Sequence, residues 1–263
     1  MDEPSSVVVT GGNRGVGRVV AAEAVRRGHR VTIVARRPDA GAAAAREIGA
    51  DLVVGDLSSV RTVRDLAGAL AAADPGPGVL VHNAALWPHR REVNEDGFEQ
   101  AFFTNHLAPF LLNRLLEERL RRVVQVSAAL YTTGRVDPER TPEGRDFHPV
   151  RTYANTKLAN LLMVPLFAER WKDAGVTIDA VHPGVLRTEL TTRGGPLGVL
   201  MRVVRPALKP VARAAPPVVD LVDSGGTGRY FQVAREKPLK PRARDGALAR
   251  RLWDDAETVL ATV

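Results

Sequence analysis

The sequence predicts a doubly wound α/β fold, in which one parallel sheet of seven strands carries helices on both faces and the whole chain, residues 1–263, forms one domain. Three observations carry this. Short apolar runs alternate with longer segments of helical period, the rhythm of βαβ units. The first apolar run, Ser6-Val7-Val8-Val9, passes directly into Thr10-Gly11-Gly12-Asn13-Arg14-Gly15-Val16-Gly17, a glycine-rich turn that opens a helix. The intervening helical segments are long enough for right-handed crossovers.

In chain order, strands are expected near 6–10, 30–35, 51–55, 78–82, 122–127, 176–182 and 229–232. Helices are expected near 16–27, 40–48, 59–73, 94–117, 153–173 and 245–261. The expected strand order is 3-2-1-4-5-6-7. Two stretches interrupt the rhythm. Residues 129–152 are polar and Arg-rich, and residues 186–217 are apolar but broken by Gly194-Gly195-Pro196, Pro206, Pro210 and Pro216-Pro217. Both follow the carboxyl ends of strands, where ligands bind in such sheets. The second reads as a lid that would exclude water and admit an apolar substrate. Plain packing, a dimer contact and a basic surface helix are its alternatives, so a homo-oligomer is compatible with the sequence.

Composition narrows the function. The chain carries 37 basic and 30 acidic residues, a net charge of +7, but the basic residues are mostly Arg spread through every segment. The densest group, Lys237, Lys240, Arg242, Arg244, Arg250 and Arg251, has no aromatic platform beyond Trp253, which is spaced like a helix-packing residue. Nucleic-acid binding is therefore not expected. There is no cysteine, which excludes disulfides, thiol nucleophiles and thiolate metal sites. No oxygen-ligand cluster surrounds Asp51 or Asp56, so no metal is expected. The start, Met1-Asp2-Glu3-Pro4, reads as neither signal peptide nor anchor, and no apolar run is long enough to span a bilayer. A cytoplasmic location is the default expectation.

The glycine turn points to a dinucleotide. Gly11 permits the tight turn, Gly15 lets backbone N–H groups approach a pyrophosphate, and Gly17 lets the helix pack close to the strand. The phosphates would sit at the positive end of that helix. The second strand ends Ala35-Arg36-Arg37, with no acidic residue where a ribose lacking a 2′-phosphate is usually held. Arg36, with Arg14 as a further candidate, favours NADP(H) over NAD(H).

Taken together, Thr10-Gly11-x-x-x-Gly15-x-Gly17, Asp56-Leu57, His82-Asn83-Ala84-Ala85, Asn105, Tyr153-x-x-x-Lys157 and His182-Pro183-Gly184 with Thr188 resemble the motifs of the short-chain dehydrogenase/reductase family. Strings such as Asn105-His106-Leu107-Ala108-Pro109-Phe110 and Gly228-Arg229-Tyr230-Phe231 are similar to its retinol-dehydrogenase-like branch. The resemblance spans nearly the whole chain. It implies cofactor contacts at Gly11, Asn13, Arg14, Gly15, Val16, Gly17, Arg36, Asp56, Leu57, Asn83, Ala84, Tyr153, Lys157, Pro183, Gly184 and Thr188. It also implies Tyr153 as acid and base, Lys157 as its partner, and Asn105 as holder of a water that links Lys157 to solvent.

The chemistry agrees. A free phenol near pKa 10 is a poor acid–base group at neutral pH, so Tyr153 needs a cation beside it. Lys157 lies one helical turn on and on the same face, where its ammonium would favour the phenolate.

One position departs from the family. Its usual serine, which orients the substrate carbonyl, stands in the resembling branch 25 positions before the tyrosine, and here that position is Ala128. Ser127 would point to the opposite face, because strand side chains alternate. Two readings stay open: either Ser127 serves, or the site lacks this hydroxyl and Tyr131, Thr132 or Thr133 replaces it. The expected activity is interconversion of an apolar carbonyl and a secondary alcohol. The alternatives are a non-redox acid–base enzyme on the same scaffold and a non-catalytic NADP-binding protein.

Overall fold

The computed structural model describes residues 4–184 and 210–262. Its strands are β1 (Ser6–Thr10), β2 (Arg30–Ala35), β3 (Asp51–Val54), β4 (Val79–His82), β5 (Arg122–Val126), β6 (Thr177–His182), β7 (Tyr230–Gln232) and β8 (Arg235–Glu236). They form one sheet in the order β3-β2-β1-β4-β5-β6-β7-β8, parallel throughout except for the β7–β8 pair. The expected order holds across seven strands. The eighth is a correction: Arg235–Glu236 is two charged, exposed residues with no hydrophobic alternation. Its hairpin turns at Val233, whose φ of 57° is unusual for a β-branched residue and gives no glycine or asparagine signal.

The helices are α1 (Gly15–Arg26), α2 (Pro38–Ile48), α3 (Val60–Ala72), α4 (Gln100–Phe102), α5 (Ala108–Leu115), α6 (Pro149–Arg170), α7 (Ala215–Val222) and α8 (Gly246–Leu260). The single helix expected over 94–117 is instead an Asn94-centred turn, the short α4, a π-helical turn at Phe103–Leu107, and α5. Helix α6 begins four residues earlier than expected, because His148 accepts from Arg151 N and Pro149 occupies the first turn.

Strand alternation sorts the core into two layers. Val8, Leu80, Val123, Ile178 and Ala180 face α3, α5, α6 and α8, where Phe110, Phe167 and Trp253 pack ring against ring. Val7, Val9, Val31, Ile33, Val81, Val124 and Val181 face α1, α2 and α7. Trp253 is a packing residue, as its spacing implied. Helix α7 corrects the lid reading at its end: Ala214, Ala215, Pro217, Val218 and Val219 are buried against the sheet. The rest of the expected lid lies outside the described residues. No helix among the described residues is long and apolar enough to cross a membrane.

At the amino end of β6, Asp179 is fully buried between two guanidinium groups, with Oδ2 2.6 Å from Arg122 Nη2 and 2.7 Å from Arg229 Nη2. Arg229 N also donates to Asp179 Oδ1, at 2.8 Å. Arg122 further donates to Thr177, Ser224 and the carbonyls of Leu221 and Gly226, so one cluster ties β5 and β6 to the last turn of α7 and the chain after it. Removing the carboxylate strands a buried cation. Asp179→Ala is expected to cost about 3–5 kcal/mol in urea denaturation; a loss under about 1 kcal/mol would show the cluster to be well solvated.

Candidate active site

Parallel strands deliver their following loops to one edge of the sheet, and the predicted site residues gather there. After β1, Gly11 and Gly15 take φ of 65° and 55°, the left-handed region that favours glycine. Thr10 Oγ1 accepts from the backbone N–H groups of Asn83 and Ala84, both at 3.0 Å, and Asn83 Nδ2 donates to the Thr10 carbonyl at 2.9 Å. The turn after β1 is thus tied to the end of β4. A Cβ on Gly17 would overlap the Gly11 carbonyl and the Asn83 amide, which is why α1 starts so close to the strand. A Cβ on Gly15 would meet nothing within 4 Å. The N-cap of α1 is Arg14, in extended backbone, and its side chain makes no capping bond to the first turn. Open room, a positive helix end and a glycine approach fit a bound pyrophosphate.

The other predicted contacts lie in this turn or just past the carboxyl ends of β2, β3 and β6. Asn13 and Val16 are half-buried, and Arg14 is exposed. Arg36 stands exposed just past β2. Past β3, Asp56 is half-buried and Leu57 is buried. Past β6, Pro183 is buried and Gly184 has a φ of 107°. Thr188 lies outside the described residues.

Tyr153 and Lys157 sit one turn apart near the start of α6, both buried. Lys157 Nζ donates to the carbonyl of Val126, the last residue of β5, at 3.2 Å, and lies 5.6 Å from the centre of the Tyr153 ring. Burial pulls the ammonium down to about 8. Burial of the ring pushes the Tyr153 phenol above its ordinary value.

Asn105 lies in the π-helical turn, a distortion frequent at functional sites. Its Oδ1 accepts from Leu86 N at 2.8 Å, while Nδ2 donates to Leu86 O at 3.0 Å and Thr156 Oγ1 at 3.3 Å. Its carbonyl accepts from Asn160 Nδ2. The side chain is thereby engaged in holding the loop after β4.

Ser127 and Ala128 separate clearly. Ser127 continues the ladder through its N–H to Val181 O, and its Oγ is buried without a hydrogen-bond partner among the described residues. Ala128 is half-exposed, with extended backbone. The three suggested substitutes for a hydroxyl are occupied elsewhere. Tyr131 is buried against Tyr230, and Thr132 and Thr133 donate to the Ala129 and Leu130 carbonyls of their own turn.

Three residues carry roles that the sequence alone does not assign. His82 Nε2 pairs with Asn113 Oδ1 at 2.8 Å, and burial holds this imidazole neutral, near pKa 4. His106 Nδ1 pairs with Asn160 Oδ1 at 2.9 Å and is held near 4 by the same cause. Trp87 packs on Tyr153 with ring centres 4.6 Å apart. Its one available signal was an aromatic residue directly before Pro88 in a loop at the carboxyl end of a strand.

Residues 11–213 match the family described as enoyl-(acyl carrier protein) reductase. Dehydrogenase/reductase SDR family member 13 of Bos taurus is 37% identical over 95% of this chain and 71% of its own. Retinol dehydrogenase 12 of Homo sapiens is 34% identical over 94% of this chain and 84% of its own. Among solved structures, an uncharacterised Mycobacterium paratuberculosis protein superposes with a TM-score of 0.78 at 30% identity, covering 99% of this chain and 96% of that one. A Beutenbergia cavernae protein assigned as an NAD(P)-dependent gluconate 5-dehydrogenase, with NADP bound, gives 0.70 at 25% identity over 87% and 94%.

The buried ammonium sets a pH dependence. An anionic dinucleotide would favour the protonated form, so its binding is expected to be strongest below about pH 8 and to weaken as Lys157 loses its proton above that value. Titrating NADPH by fluorescence between pH 7 and 9.5 should show a decline approaching tenfold per pH unit. Lys157→Met should flatten the profile, and an equal slope in that variant would exclude Lys157 as its source.

Proposed function

Because the chain belongs to the short-chain dehydrogenase/reductase family, we propose that it is an NADP(H)-dependent oxidoreductase interconverting an apolar carbonyl and a secondary alcohol, with Tyr153 as acid and base. The observation that carries this is the pairing of Tyr153 with Lys157 on one face of α6, the ammonium anchored to the last carbonyl of β5.

The turn from Gly11 through Asn13, Arg14, Gly15, Val16 and Gly17 would hold the pyrophosphate. Asp56 and Leu57 would contact the adenine, and Arg36 the 2′-phosphate. Asn83, Ala84, Tyr153 and Lys157 would hold the nicotinamide ribose end, with Pro183, Gly184 and Thr188 closing over it. Bound there, the dinucleotide supplies or accepts hydride. The preference for NADP(H) is supported by Arg36 standing where an acidic ribose ligand would be, and by the NADP held in the Beutenbergia cavernae structure.

In the reducing direction, Tyr153 gives its hydroxyl proton to the carbonyl oxygen as hydride reaches the carbon. Lys157 then stabilises the phenolate left behind. Tyr153 is only 6% exposed, which keeps bulk water from the proton transfer. Asn105 fixes the loop that covers it. The half-exposed Ala128 beside the buried Ser127 supports the reading that position 128 faces the site and lacks the carbonyl-orienting hydroxyl. Loss of one such donor costs on the order of 100- to 1000-fold in rate, a deficit that weakens a reductase without abolishing it. An apolar substrate is supported by the retinol dehydrogenase relative.

Two variants test this. The unaltered chain should bind NADPH more tightly than NADH, and Arg36→Asp should reverse the order; equal affinities in the unaltered chain would remove the Arg36 argument. Tyr153→Phe should lower ketone reduction at least 1000-fold with NADPH affinity nearly intact, whereas retention of most of the rate would exclude Tyr153 as the acid.

A further inference from the structure

Among the described residues, the Tyr153 ring lies against Trp87 and the Lys157 ammonium. The direction of its hydroxyl depends on how the ring is packed. One face of that packing is Trp87, whose ring centre lies 4.6 Å from that of Tyr153 with a 31° tilt. Trp87 is itself preset from both sides along the chain. Before it, the Asn105 amide binds both the N–H and the carbonyl of Leu86. After it comes the buried Pro88, which restricts the backbone of the preceding residue to extended conformations. Tryptophan also adds little conformational freedom of its own, having two side-chain torsions.

We propose that Trp87 is a positioning residue for Tyr153, holding the phenol ring by aromatic packing in a site where position 128 offers no hydroxyl to fix it. The inference rests on the reading of Tyr153 as the acid. The indole is half-buried, with part of its surface against the phenol and the remainder open. Asn105 acts through Leu86 and Trp87, so the π-helical turn reaches the reacting group by a short chain of contacts. An offset aromatic pair has a preferred geometry that an aliphatic side chain cannot reproduce.

The test uses Trp87→Ala and Trp87→Phe in the full chain. Reduction of acetophenone with NADPH is followed, together with 19F spectra of protein labelled with 3-fluorotyrosine. The Tyr153 signal is identified by its loss in Tyr153→Phe. Trp87→Ala should lower kcat about tenfold or more with KM for NADPH unchanged, and should shift the Tyr153 signal and collapse its two ring-orientation lines toward one. Trp87→Phe should stay within about threefold of the unaltered chain and keep both lines. Ala128→Ser should recover more activity in the Trp87→Ala background than in the unaltered chain, since the new hydroxyl supplies the missing restraint. A drop in kcat with an unmoved Tyr153 signal would overturn positioning in favour of direct substrate contact. A moved signal with unchanged kcat would overturn it as well. If the unaltered chain reduces no ketone yet the signal responds as described, ring holding stands and the oxidoreductase reading falls.

Discussion

The site depends on a charged amine placed inside the protein. Lys157 is 3% exposed, and its only direct hydrogen bond among the described residues goes to the Val126 carbonyl. Burying an ammonium is unfavourable unless its hydrogen bonds and charge are compensated. Val126 can offer that carbonyl because it ends β5: the strand stops there, the ladder continues only through Ser127, and the chain turns at Ala128 into a short 3-10 helix. Helix α6 must in turn bring Lys157 to this strand end, which it does by starting at His148 and Pro149 and burying one residue after another from Thr152 to Val164.

Around that charge the polar groups are arranged to remain neutral. His82, buried within electrostatic range of Lys157, is held unprotonated and pairs with Asn113. His106 is held neutral by burial and pairs with Asn160, which reaches across to the Asn105 carbonyl. Two asparagines then fix the loops nearest the chemistry. Asn83 ties the glycine turn to β4, and Asn105 grips Leu86. The Asn105 amide satisfies a donor and an acceptor at once, and the Asn83 amide donates to the Thr10 carbonyl, which an apolar side chain could not do. The result is a preorganised surface at the carboxyl ends of the parallel strands.

Much of this was legible in the residues alone. The first strand, the glycine turn and α1 follow from local chemistry, because Gly11, Gly15 and Gly17 each meet a steric demand within one turn. Tyr153 and Lys157 share a face by helical period. What escaped was long-range or unpatterned. The Trp87–Tyr153 and Asn105–Leu86 contacts join segments far apart in the chain, and only the packed fold brings them together. The apolar segment expected as a lid over 186–217 runs into α7, whose prolines obscure its helical pattern although proline is well tolerated in a first helical turn. The π-helical turn has no periodicity of its own, so 94–117 read as one helix.

Exchange of hydride between the bound dinucleotide and a carbonyl, with Tyr153 moving the proton, is tested by incubation with NADPH carrying deuterium at the transferable C4 position and acetophenone, followed by mass analysis of the alcohol. One deuterium is expected on the carbinol carbon of the product, with formation of that alcohol falling at least 1000-fold in Tyr153→Phe. Alcohol formed without deuterium from either C4 face of the cofactor would contradict that exchange, as would conversion of the substrate with no change in the cofactor's oxidation state.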